Sequence, residues 1–112
     1  MIFRTLDTNR DFEALARDFL ARNPGISHEW RAFRSVWDGG RTELRFAPGA
    51  DNEVLVVLRS YQITIATPSG DEDFEDWGRG LSAEQVAREA FSHLLEALAS
   101  NRIGPIGFAH HA

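Results

Sequence analysis

Cysteine and lysine are both absent from this chain of 112 residues. Without cysteine there is no disulfide scaffold, thiolate zinc site or cysteine nucleophile. All 12 basic residues are therefore arginine, a bias that follows coding composition and carries no mechanistic weight. No apolar run approaches the roughly 18 residues that mark a bilayer span. The opening Met1-Ile2-Phe3-Arg4-Thr5-Leu6-Asp7 lacks a basic region followed by an apolar core, so no signal peptide is read there. The expectation is a cytoplasmic protein with no membrane role. Also missing are a Gly-x-Ser-x-Gly elbow, a phosphate-cradling glycine-rich loop and a His-Glu-x-x-His helix. The reading is accordingly of a non-enzyme.

The apolar share of 43 %, with eight Phe and three Trp, supplies a real core for one small domain. That domain is read as residues 1–102, followed by a loosely held tail over 103–112. Charge is unevenly spread: residues 1–50 carry eight Arg against seven acids, and residues 51–112 carry four Arg against ten. A net −6 in the second half argues against nucleic acid, which needs basic surface to displace counterions. It suits a basic protein partner.

Hydrophobic spacing predicts the elements. From Asn9 to Arg22, the residues Phe12, Leu15, Ala16, Phe19 and Leu20 form one helical stripe, capped by Thr8 or Asn9 and ended by Asn23-Pro24-Gly25. Residues 26–37 fit a helix through Ile26, Trp30, Phe33 and Trp37, and a strand through Trp30, Ala32 and Val36. The turn residues Asp38-Gly39-Gly40 favour a hairpin of 29–37 with 41–47. Glu53 to Thr67 alternates as β structure, with a bend at Arg59-Ser60 because 15 residues exceed an ordinary strand. Ser82 and Gln85 form a capping box, Leu81 staples onto Val86, and Val86, Ala90, Phe91, Leu94, Leu95 and Leu98 make the buried stripe of a last helix. The predicted fold is α+β: a three- or four-stranded antiparallel sheet with an N-terminal and a C-terminal amphipathic helix on one face. Apolar residues left on the other face would be covered by a homodimer or by Ile103, Ile106 and Phe108 of the tail.

Between the β region and the last helix lies Asp71-Glu72-Asp73-Phe74-Glu75-Asp76-Trp77, five carboxylates with two aromatics. Like charges this close need open solvent, a cation or a basic partner. A solvated loop pinned by Phe74 and Trp77 is one reading. A calcium loop is another: Asp71, Asp73 and Glu75 have its 1-3-5 spacing, but Asp76 stands where glycine is required and Ser82 where the bidentate Glu is required. The remaining reading is a recognition patch for a basic protein, in which carboxylates steer encounter and an aromatic anchors it. Trp30, Trp37 and Trp77 are expected in or at the rim of the core, with Trp37 the most exposed because it abuts the glycine turn. His93 is expected half-buried, and His110 and His111 are not read as a functional metal site. No metal or cofactor is expected.

The alternating Val54 to Ile65 region, the stretch Asp71 to Trp77 and the final helix together resemble small bacterial immunity proteins paired with polymorphic or contact-dependent toxins. The resemblance covers most of the chain and rests on architecture and charge. It implies a non-catalytic protein that blocks a basic toxin, with Asp71, Asp73, Glu75, Asp76 and Trp77 carrying the contact. Trp37, expected to be partly exposed beside its glycine turn, is a separate protein-binding candidate. Acidic, dimeric secretion chaperones resemble the chain in size and charge, although they continue with strands after their middle helix. A bacterial domain with a housekeeping role is the other alternative.

Overall fold

The chain runs α1 (Ile2–Arg22), β1 (His28–Phe33), β2 (Arg41–Phe46), β3 (Val54–Arg59), β4 (Ile63–Thr67), β5 (Gly70–Phe74) and α2 (Ala83–Ser100). The computed structural model describes residues 2–34, 40–60, 62–75 and 80–104, with side chains from Thr8 onward. The strands form one antiparallel meander in the order β1-β2-β3-β4-β5. The α+β class, the antiparallel sheet and the two terminal helices agree with the sequence. The strand number does not: five strands form where three or four were expected. The extra one is the first half of the acidic stretch, which pairs with β4 instead of looping to α2.

The β region of residues 53–67 divides where expected. Arg59 N–H donates to the carbonyl of Gln62 at 2.9 Å, and β4 turns back along β3. Residues 28–33 form the first hairpin arm, since β1 pairs residue by residue with β2. The second turn is tighter. Pro68 and Ser69 link β4 to β5, and Thr67 Oγ1 accepts from Ser69 N–H and donates to the Gly70 carbonyl, both at 3.2 Å. That side-chain bridge stabilises a two-residue connection and sets the register of β5.

α1 begins seven residues before Asn9 (residue 2 against residue 9), because nothing in the opening segment breaks a helix. Thr8 and Asn9 are thus interior residues and not caps. Thr8 is buried, and the Asn9 side-chain amide donates to the carbonyl of Arg59, tying α1 to the β3–β4 bend. α2 starts as its local sequence dictates. Ser82 Oγ accepts from Gln85 N–H at 3.1 Å, and Gln85 Oε1 accepts from Ser82 N–H at 2.8 Å. Glu84 and Arg88 pair one turn apart at 3.0 Å.

The two helices meet through aromatic edges, Phe12 on Phe91 at 6.3 Å and Phe19 on Phe91 at 5.9 Å between ring centroids. Phe12, Ala16 and Leu20 of α1 and Val86, Ala87, Ala90, Leu94, Ala97 and Leu98 of α2 share one core with Leu44, Phe46, Val54, Val56, Leu58, Ile63 and Ile65 of the sheet. Burying each large side chain of this set is worth about 1.5–3 kcal/mol, which is what holds the helix layer to the sheet. Leu95, expected in the stripe, is only half-buried, and Ala87 and Ala97 take its place. Ile103 also joins the core, although the sequence groups it with the tail. Its N–H donates to the Leu98 carbonyl at 2.9 Å as the chain turns back past the end of α2. The remaining tail positions, Ile106, Phe108, His110 and His111, lie outside the described residues. Among the described residues no helix is long and apolar enough to cross a membrane.

Candidate protein-binding site

The first part of the acidic stretch, Asp71 to Phe74, lies in the edge strand β5. Gly70 to Asp73 are exposed, and Phe74, 7 % exposed, is the residue that enters the core. Phe74 lies opposite Ile63 across the β4–β5 ladder and packs on His93 of α2 at 5.3 Å between ring centroids. His93 is half-buried, as its position beside the apolar stripe predicts. One aromatic thus fixes the strand, and the strand then dictates where the carboxylates point.

Side chains alternate along a strand. Asp71 and Asp73 therefore share the sheet face opposite the helices, and Glu75, the next residue but one, continues the row. Glu72 lies opposite Ile65, on the helix side. Asp73 accepts a hydrogen bond from Thr64 Oγ1 at 2.8 Å, and Glu75 accepts one from Gln62 Nε2 at 3.5 Å. The structure therefore unites Asp71, Asp73 and Glu75 and separates Glu72 from them. Asp76, Trp77 and Trp37 lie outside the described residues. Trp30 packs at the rim of the core on the helix side, with the Arg17 guanidinium 4.1 Å above its ring.

The sheet face that carries these acids has a second feature, missed in the sequence reading. Cross-strand register sets Glu29, Arg45, Leu55, Ala66 and Asp71 in one row and Arg31, Glu43, Val57, Thr64 and Asp73 in the next. Phe33, Arg41 and Arg59 begin a third row, which Gln62 and Glu75 complete. Glu43, 6 % exposed, is the best-buried charged residue among those described. Arg41 Nε donates to it at 2.8 Å and Arg45 Nη2 at 3.1 Å, and Arg45 also reaches Glu53 at 2.8 Å. Burial by itself would raise the Glu43 pKa, but the two guanidinium groups outweigh it and hold the carboxyl below its ordinary value. Hydrogen bonding to Glu53, against some desolvation, raises Arg45 in turn. The signal was present as Arg41-x-Glu43-x-Arg45, which puts all three side chains on one face once the segment is a strand.

On the outer face β1 and β2 thus carry Arg31, Arg41 and Arg45 paired with Glu29 and Glu43, the middle strands carry the neutral residues Leu55, Val57, Thr64 and Ala66, and β5 carries only acids. At one end of the molecule a cleft of about 610 Å³ is lined by Arg22, Asn23, Ile26, Asn52 and Arg102 among others, with no Asp, Glu or His in its wall. No group of three metal-ligating side chains occurs among the described residues. Compared with family models, curated proteins and solved structures, the chain matches none.

Proposed function

We propose that this protein is a non-catalytic binding module that takes up a basic segment of another protein along its acidic edge strand, in the manner of an immunity protein blocking a basic toxin. The observation that carries the reading is the placement of Asp71 and Asp73 on one side of an exposed strand pinned by Phe74, with Glu75 just beyond its end and bonded to Gln62. Carboxylates held in a row by a ladder lose less freedom on binding than carboxylates on a loop. The edge also offers main-chain N–H and C=O groups to an incoming strand, so affinity comes from the backbone and selection from charge. A chaperone-like role would use the same edge for an extended secretion segment, and the chemistry of recognition would be the same.

A different reading draws on the same residues: charged side chains blunt an edge strand and keep it from pairing indiscriminately. The two separate in one experiment. A partner retained from the source cell by the wild-type protein is titrated into wild type and into the variant Asp71→Asn, Asp73→Asn, Glu75→Gln. Recognition predicts weaker binding by the variant and a flatter dependence on salt. Equal affinity at every salt concentration, with the variant aggregating more readily, would leave protection of the edge as the role of these acids.

A further inference from the structure

β1 is the other edge of the sheet, and among the described residues no strand lies beyond it. The Ala47 N–H donates to the Ser27 carbonyl at 3.0 Å, which extends the β1–β2 ladder by one pair. Bonded pairs recur at every second residue of an antiparallel ladder, so Glu29, Arg31 and Phe33 turn their N–H and C=O groups toward β2. His28, Trp30 and Ala32 turn theirs outward. We infer that this edge pairs with β1 of a second copy of the chain, in an antiparallel register centred on Trp30 that joins the two sheets into one.

Symmetry and charge fix that register. A two-fold axis normal to the sheet at Trp30 sets Trp30 against Trp30, and His28 of each copy against Ala32 of the other. The outward groups of these residues then all find partners, in about six main-chain hydrogen bonds. On the outer face Glu29 of each copy comes opposite Arg31 of the other, in the closer, non-bonded kind of pair. Glu29 and Arg31 already pair within their own strand at 3.2 Å and are exposed, so the join exchanges one ion pair for another. Its effect is to choose the register, because no like charges meet. Across the join the row runs Arg45, Glu29, then Arg31 and Glu43 of the second copy. An axis at Glu29 would set Glu29 on itself, and one at Arg31 would set Arg31 on itself. On the helix side the two half-buried Trp30 side chains come together beside the axis and cover each other's exposed surface.

The opposite edge offers no such match. Both outer-face side chains of β5, Asp71 and Asp73, are acids, so pairing β5 with itself sets carboxylate against carboxylate. β1 carries both signs, and it has neither proline nor a bulge to keep a second strand away. The shared edge is short, about 17 Å from His28 to Ala32, which places the dimer among weak, reversible associations. The inference does not rest on the reading of β5 as a site for a basic segment. The two edges are separate, and association through β1 leaves β5 free in both copies.

The full chain should sediment as a monomer–dimer equilibrium over roughly 10 to 500 μM. As concentration rises through that range, amide exchange should slow at His28, Trp30 and Ala32, while Glu29 and Arg31, bonded to β2, stay protected throughout. Ala32→Pro removes an outward N–H at an edge position that tolerates proline, and it should abolish the dimer. Arg31→Glu and Glu29→Arg should each raise the dimer dissociation constant about tenfold or more. An equimolar mixture of those two variants should associate again, because every opposed pair then has opposite signs. Glu96→Arg, a charge reversal on the exposed side of α2, should leave the wild-type constant unaltered. Circular dichroism matching wild type would show that each variant folds. A monomer at every concentration, a dimer indifferent to Ala32→Pro, or charge variants that associate no better mixed than alone would each overturn the proposal.

Discussion

Thr64 Oγ1 donates a hydrogen bond to Asp73 across the β4–β5 ladder at 2.8 Å, joining a buried hydroxyl of an inner strand to an exposed carboxylate of the edge. Charge-assisted bonds of this kind are worth about 1.5–3 kcal/mol when desolvated, and less where the acceptor faces water as Asp73 does. Thr64→Val keeps the shape and removes the donor. It should cost about 1 kcal/mol in urea unfolding and speed amide exchange in residues 70–74. Unchanged exchange there would show that the bond does not help to hold β5 in place.

Phe74 is the hydrophobic anchor of that strand, with exposed residues before and after it. Phe74→Ala should destabilise the protein by about 3–5 kcal/mol through lost burial and the cavity left behind. Phe74→Leu should recover most of that loss. Because Glu72 is the other β5 side chain on the helix side and is exposed, the alanine variant should release β5 while α2 stays folded below the main transition. Denaturant unfolding followed separately by strand amide exchange and helix circular dichroism would detect the separation, and a single cooperative loss of both would contradict it.

Glu43 makes stability depend on acid. Its pKa in the folded protein lies below the ordinary 4.5, because Arg41 and Arg45 outweigh the effect of burial. A carboxyl depressed on folding contributes stability that is present above its unfolded pKa and is lost as pH falls through the folded value. Stability should therefore hold from neutral pH down to about 4.5 and decline below it. Glu43→Gln should cost about 1–3 kcal/mol at pH 7 and flatten the acid limb. A wild-type acid limb retained in full by Glu43→Gln would assign the dependence to other carboxyls.

Gly40 enters β2 with φ +87°, a conformation that side-chain-bearing residues rarely adopt. A Cβ added there would lie 2.3 Å from the Phe33 carbonyl oxygen, which belongs to the facing strand and has little room to move. Gly40→Ala should cost about 2 kcal/mol or more by forcing the β1–β2 hairpin to shift. Gly25→Ala, with no atom within 4 Å of the added Cβ, serves as the comparison. Equal melting temperatures for the two variants would show that the hairpin absorbs the extra atom freely.

What this sequence determined by itself is short in range. The Ser82–Gln85 capping box, the stripe from Phe12 to Leu20 and the Glu84–Arg88 pair each involve residues within a turn or two, so their physics is written in adjacent letters. The alternation from Val54 to Leu58 likewise marks a strand before any partner is known. Of the candidate site, Asp71, Asp73 and Glu75 could be named from the sequence, but not their common direction, which needs a strand. Gly70 to Phe74 has no apolar alternation and adopts β structure because β4 offers an unpaired edge just after a tight turn. The role of Asn9 is equally non-local, since its side-chain amide reaches the Arg59 carbonyl, 50 residues along the chain, rather than capping a helix. Only tertiary structure could bury Glu43, whose environment combines two neighbours on its own strand with Val57 on the next. Pairing energies of this kind belong to residues brought together by the chain's return, and spacing along the sequence does not contain them.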